Sequence, residues 1–259
     1  MSDEKYGSKW SEDETVLAYY YYCLIPFGKI HHNNPEIIRI ANVLGRTPGS
    51  VSFKMGNLGH FDPELRKRNV SGLKNASKMD ARVVEEFFSD WEALALRAEE
   101  IEKRLTEEND SGDHLMAGFE MREGNDIERF IKTRVNQDFF RRAVLTSYGG
   151  KCCVTGIPYN ALLIASHIKP WHVSDSKLER TNPCNGLCLN ALHDKAFDQG
   201  LMTVKPDYTI CFSSKLKKFY NDESMNWMLQ FENRKINLPE RFLPNREFLE
   251  YHNDVIFVP

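Results

Sequence analysis

The chain has 259 residues, room for one large domain or two small ones at about 100–200 residues each. Hydrophobic residues make up 41% and charged residues 27%; a formal net charge of −3 excludes a polycation that coats nucleic acid by bulk charge, but not a local basic surface. No apolar run approaches the roughly 18–20 residues of a membrane span, and Met-Ser-Asp-Glu-Lys at the start has no apolar signal core, so the expectation is a cytoplasmic protein with no membrane partner.

Residues 1–9 read as a loose tail. Ser11 is placed to cap a helix whose first turn, Glu12-Asp13-Glu14, suits the positive end of the helix dipole. The run Val16–Ile25 continues it, and Pro26 and Gly28 end it. A second helix, Glu36–Leu44, follows Pro35 and stops at Gly45. Thr47-Pro48 opens a third, from about Gly49 to Leu58. Two helices joined by a short glycine-containing turn form a helix–turn–helix pattern. Arg46 and Lys54 are its candidate phosphate contacts; the competing reading is a three-helix packing module. Arg66-Lys67-Arg68, with Lys74 and Lys78 behind it, is a candidate backbone contact in a loop marked by Pro63 and Gly72. Met79 to about Glu107 reads as one long helix, with Val83, Val84, Phe87, Phe88, Trp91, Leu94 and Leu96 on its apolar side. The polar stretch 107–113 marks a boundary, giving a helical DNA-binding domain at 1–108, a linker at 109–123 and a second domain at 124–259.

Ile127–Tyr148 reads as a helix rich in Arg129, Lys132, Arg134, Arg141 and Arg142, with Phe130, Phe139, Phe140, Val144 and Leu145 as its buried stripe. Gly149-Gly150 ends it. Short strands are expected at 152–155 and 162–168, a polar loop at 171–184, a helix over Leu187–Phe197 capped by Gly200, and a strand at 201–204. The six cysteines are 23, 152, 153, 184, 188 and 211. A zinc tetrad uses two short Cys-x-Cys arms, whereas Cys152 and Cys153 are adjacent and Cys184 and Cys188 have three residues between them. Reduced, partly buried thiols are therefore favoured over a structural Zn²⁺, with Cys188 in the core.

Chemistry concentrates in three places. His167 ends a strand, Asn185 opens the element after the loop, and His193, Asp194 and Asp198 lie on the helix. Asp194 and Asp198 are four apart, so their carboxylates share a face and suit a hard cation such as Mg²⁺ or Mn²⁺. A neutral histidine facing that cation can take a proton from water, and an asparagine carbonyl can hold its N–H and fix the tautomer. His172 and His252 read as structural.

Ser166-His167-Ile168-Lys169-Pro170-Trp171, Asn182-Pro183-Cys184-Asn185-Gly186-Leu187-Cys188-Leu189 and His193-Asp194-Lys195-Ala196-Phe197-Asp198-Gln199-Gly200 together resemble the HNH nucleases, in the bacterial restriction-type branch. The resemblance extends from about 124 to 256, through Arg134–Gln137, Phe139–Arg141, Thr155-Gly156 and Phe248–His252. It implies an α+β chain whose second domain is a ββα-metal finger that enters the DNA minor groove and cuts one phosphodiester. It further implies that His167 is the general base and Asn185 its orienting residue, with His193 or its neighbour third. Asp194 and Asp198 lie nine and thirteen residues after Asn185, the offsets of the helix ligands in nuclease colicins. His193 is then either a ligand or a helper on the phosphate side. Ser166 departs from the family, which often has Asp or His there as a ligand.

The expected function is a metal-dependent DNA endonuclease of restriction or host-defence type, acting on double-stranded DNA, with a homodimer as a candidate assembly. Arg141, Arg142 and the 66–68 cluster would hold the DNA backbone. The rival reading is a non-catalytic DNA-binding regulator that keeps the HNH fold as scaffold.

Overall fold

A computed structural model describes residues 8–62, 65–66, 76–109 and 124–259. Two compact units meet in sequence between Phe139 and Phe140. The architecture is α+β: the first unit is helical, and small antiparallel sheets occur in the second. Among the described residues, no helix is long and apolar enough to cross a membrane.

The first unit is built around α1 (Glu12–Leu24). Ser11 and Glu14 form a reciprocal capping box that satisfies two otherwise orphaned backbone donors. Every residue from Glu14 to Leu24 is buried, so α1 is a central helix packed all round rather than a surface helix with one apolar stripe. Helices α2 (Pro35–Leu44) and α3 (Pro48–Leu58) each begin with an Asn or Thr cap and a proline in the first turn. Gly45 closes α2 in the left-handed region at φ 62°, which makes the tight turn to Thr47. α4 (Lys78–Phe88) and α5 (Trp91–Asn109) then pack on α1. The single helix expected over 79–107 is thus two. Asp90 accepts a hydrogen bond from Ala93 N at 3.0 Å, so it caps a new helix, and its own preference for that role overrides the apolar periodicity.

The second unit starts in α6 (Gly124–Ser147), a helix that also supplies Phe139 to the first unit's core beside Tyr20 and Trp91. Phe140 and Val144 join the second unit's core. β1 (Leu163–His167) pairs antiparallel with β2 (Gly186–Asn190), His167 opposite Gly186 and Ser166 opposite Leu187. α7 (Ala191–Asp198) packs on both strands, giving a ββα unit. β3 (Met202–Val204) and β4 (Ile210–Phe212) form a second hairpin, followed by α8 (Ser214–Lys217), α9 (Glu223–Leu229) and α10 (Arg246–Tyr251).

Two sequence expectations are corrected here. Residues 187–190 are strand, not helix: Asn190 accepts from the backbone N–H of Leu192 and His193 and starts α7 only at Ala191. A short apolar run such as Leu187-Cys188-Leu189 fits either period. Residues 152–155 form a turn rather than a strand, closed by Gly156 N donating to Cys152 O at 2.8 Å. Gly186 is where β2 presses on α6. A Cβ there would lie 2.3 Å from Val144 Cγ2 and 3.0 Å from Phe140 Cζ, so only glycine lets the strands sit this close to the helix.

Candidate active site

His167 is the last residue of β1, and its imidazole lies flat on Phe140, centroids 3.8 Å apart and planes 11° apart. Trp171 meets it edge-on at 5.5 Å. Nε2 lies 2.9 Å from the Arg180 carbonyl. A carbonyl only accepts, so Nε2 carries the proton, and the lone pair of the neutral ring is on Nδ1. Burial lowers the His167 pKa below the usual histidine value, with the Arg180 carbonyl opposing part of that effect. The ring is therefore a neutral base at neutral pH.

The neighbouring side chain on β1, Ser166, points to the opposite face of the strand. Ser166 Oγ is buried and makes no hydrogen bond of good geometry, but it favours the ionised form of the Asp194 carboxyl. Asp194 and Asp198 stand one turn apart on α7. Burial lifts both carboxyl pKa values first, and for Asp194 the charge of Asp198 adds to it; Lys195 partly offsets this in each. Among the described residues neither aspartate has an ion-pair partner. The two carboxylates and the buried Ser166 hydroxyl form a set of hard oxygen donors, which fits Mg²⁺ or Mn²⁺ rather than a thiolate-seeking ion.

Asn185 departs from its expected role. Its side chain does not bond to His167. Oδ1 accepts from Lys169 N at 2.8 Å, and Nδ2 donates to Lys169 O at 3.0 Å, Glu179 O at 3.3 Å and Ser174 Oγ at 3.4 Å. The fully buried amide thus staples both ends of the loop between the strands. That loop returns Arg180, whose carbonyl holds His167. The orienting group is therefore a backbone carbonyl, and a role carried by backbone leaves no residue-type signal in a sequence. Lys169, paired with Glu179 at 2.6 Å, adds a second tie across the same loop.

His193 is not part of this cluster. It is fully buried on the core side of α7, edge-on to Trp227 at 5.6 Å and Phe231 at 5.8 Å, with Nδ1 accepting from Asn190 Nδ2 at 2.9 Å. Burial pushes its pKa down to about 4. One residue along a helix is a turn of about 100°, so Asp194 faces the site while His193 faces the core. The expected ligand or catalytic role of His193 is corrected to a packing role. Among the described residues, no group of three or more His, Cys, Asp or Glu side chains is arranged around a common metal position.

Cys152, Cys153 and Cys188 are core thiols, and Cys184 is partly exposed. Cys152 Sγ accepts from Asn190 N at 3.3 Å, and burial pushes the Cys188 pKa up to about 12 and that of Cys153 well above normal.

The candidate DNA contacts fall into three groups. Arg46 is buried, pairs with Glu14 at 2.7 Å and lies over Trp10 at 4.4 Å. Lys54 is also buried, paired with Asp80 and 5.0 Å from the same ring. Both hold the helical unit together and present no charge to solvent, which corrects their expected phosphate role. Arg66 is exposed, its Nε donating to His60 O at 2.8 Å. Lys67, Arg68 and the 110–123 part of the expected linker lie outside the described residues. In the second unit, Arg141 is exposed beside Asn160 and Arg142 is half-buried.

No curated protein matches the chain. Residues 152–205, which hold His167, Asn185, Asp194 and Asp198, match the family model described as HNH endonuclease.

Proposed function

We propose that the protein is a metal-dependent DNA endonuclease in which His167 is the general base. The observation that supports this most is the locked imidazole: a neutral ring, Nε2 bound to the Arg180 carbonyl and Nδ1 holding the lone pair, on the strand whose adjacent residue faces paired carboxylates. An HNH domain supports nuclease activity in general; cleavage of double-stranded DNA in restriction or host defence is the finer reading proposed here.

In this reading Nδ1 takes a proton from water, the water oxygen attacks phosphorus, and the ester P–O bond on the far side breaks, its oxygen leaving with the bonding pair and taking a proton from solvent. Phe140 and Trp171 keep the ring in place and partly dry while it becomes an imidazolium. Asp194 and Asp198, with Ser166 as a third oxygen donor, would hold Mg²⁺ or Mn²⁺, which supplies neutralisation of charge at the scissile phosphate. Asn185 acts at one remove by fixing the loop that carries Arg180. Arg141, exposed at the surface of this unit, would contact the DNA backbone. The second unit, 140–259, would be the nuclease domain, and residues 1–108 would be the DNA-binding domain. Cutting both strands of a duplex takes two such sites, hence a homodimer.

The test is incubation of supercoiled plasmid with the full chain and Mg²⁺ or Mn²⁺. Nicked or linear product is expected. A plasmid left intact by folded protein with both metals would remove the enzyme reading and leave a DNA-binding regulator.

A further inference from the structure

The first unit presents one surface that the corrected cations leave unexplained. On α3 the inner face is Val51, Lys54, Met55 and Leu58, all buried. The opposite face carries Gly49, Ser52, Phe53 and Gly56, and Phe53 is 64% exposed. A single exposed phenylalanine is unremarkable by itself. Here it lines a groove with Ser52 and Gly56 on one side and Phe27, His31 and His32 on the other. No residue lining the groove is acidic. Lys29, exposed between Phe27 and His31 in the chain, adds positive charge, as does Arg66, tied to the His60 carbonyl one turn beyond Gly56. Among the described residues, the acids close in sequence are already engaged: Glu36 pairs with Arg39 at 2.9 Å, and Asp62 accepts from Tyr22 Oη at 2.9 Å.

An aromatic side chain on the second helix of a helix–turn–helix, flanked by small residues, with two histidines across the groove, no acid in its lining and the exposed Lys29 close by in the chain, suits contact with a polyanionic duplex. The small residues let the helix backbone approach the floor of a groove about 12 Å wide, and the rim meets the phosphates on either side. The apolar feature of that floor is the C5-methyl group of a pyrimidine, which phenylalanine contacts well. We propose that this face of α3 docks in the DNA major groove, with Phe53 against a pyrimidine C5-methyl and with Lys29, His31, His32 and Arg66 on the backbone. The choice of partner rests on the nucleic-acid substrate reading above. The surface itself replaces Arg46 and Lys54, the cations that residue type alone suggests.

The experiment uses the full chain carrying His167→Ala in metal-free buffer, so that binding is read without cleavage. Fluorescence anisotropy measures affinity for random-sequence duplex pools containing thymine, uracil in its place, or uracil together with 5-methylcytosine. The thymine pool binds tighter than the uracil pool by about fourfold for each contacted methyl, the worth of one buried apolar carbon. Added Phe53→Ala abolishes that difference. Recovery in the third pool shows that either methylated base serves; no recovery assigns the contact to thymine. A combined His31→Ala and His32→Ala change weakens all three pools. Equal affinity for the thymine and uracil pools, or a preference that survives Phe53→Ala, overturns the proposal. A wild type that binds in this way yet cuts no DNA would refute the nuclease reading and leave this surface standing.

Discussion

The pH dependence of folding separates a core histidine from a catalytic one at position 193. His193 and His252 are both buried, and burial pushes each pKa down to about 4. In the unfolded chain each returns to about 6.5. Between these values the unfolded state binds more protons than the folded one, so stability rises with pH. The contribution is full above about pH 6.5 and is lost as the pH falls toward about 4. A shift of roughly 2.5 units at about 1.4 kcal/mol per unit gives about 3 kcal/mol for each histidine. Two such groups approach the whole stability of an ordinary domain, about 5–15 kcal/mol. Asp194 and Asp198 act with the opposite sign, because their raised values favour the folded state in acid, but both carboxyls are partly hydrated and the effect is smaller. Urea unfolding followed by tryptophan fluorescence at several pH values gives the slope directly, since Trp227 lies against His193. His193→Gln, which keeps an amide for Asn190, lowers stability at neutral pH and flattens the acid slope by the amount of one group. If wild type and His193→Gln lost stability in parallel from about pH 7 to about pH 4, His193 would not be a buried neutral imidazole.

Three further outcomes follow from the packing and the charges. Lys54→Ala leaves Asp80 buried without its partner and destabilises the helical unit by about 3–5 kcal/mol in chemical denaturation, while Arg66→Ala leaves stability unchanged. Gly186→Ala drives a methyl into Val144 and lowers stability by about 1–3 kcal/mol, with a lowered melting temperature as the readout; an unchanged melting temperature would contradict the close β2–α6 approach. Asp194→Asn and Asp198→Asn each abolish Mn²⁺ binding in isothermal titration yet leave the metal-free protein as stable as wild type or slightly more so, because a neutral amide escapes the desolvation that each partly buried carboxylate bears. Retained Mn²⁺ affinity in both variants would place the cation elsewhere.

What the sequence carries well is side-chain chemistry in order. His167, Asn185, Asp194 and Asp198 stand at spacings that survive into a ββα unit, and the four-residue step does place both aspartates on one face of α7. The α1, α2 and α3 boundaries were legible from Ser11, Pro35, Gly45, Thr47 and Pro48, because caps and prolines act locally. Three things were not legible. Residue type does not reveal burial, so Arg46 and Lys54 read as DNA contacts although Glu14, Asp80 and Trp10 claim them from distant parts of the chain. Side-chain pattern does not reveal backbone roles, so the Arg180 carbonyl was invisible and its task fell to Asn185. Neighbouring residues on a helix point in different directions, so His193 and Asp194 could not be separated until the core that covers one of them was known.

Cleavage of supercoiled plasmid by wild type and His167→Ala, side by side with Mg²⁺ or Mn²⁺, bears most directly on the proposed chemistry. Wild type converts the plasmid to nicked or linear form. His167→Ala folds, binds DNA and retains Mn²⁺, but cuts at least about a hundredfold more slowly, the lower range for loss of a general base. Equal cleavage by the two proteins would show that His167 is not the base, and an intact plasmid with folded wild type would show that this HNH domain does not cut DNA.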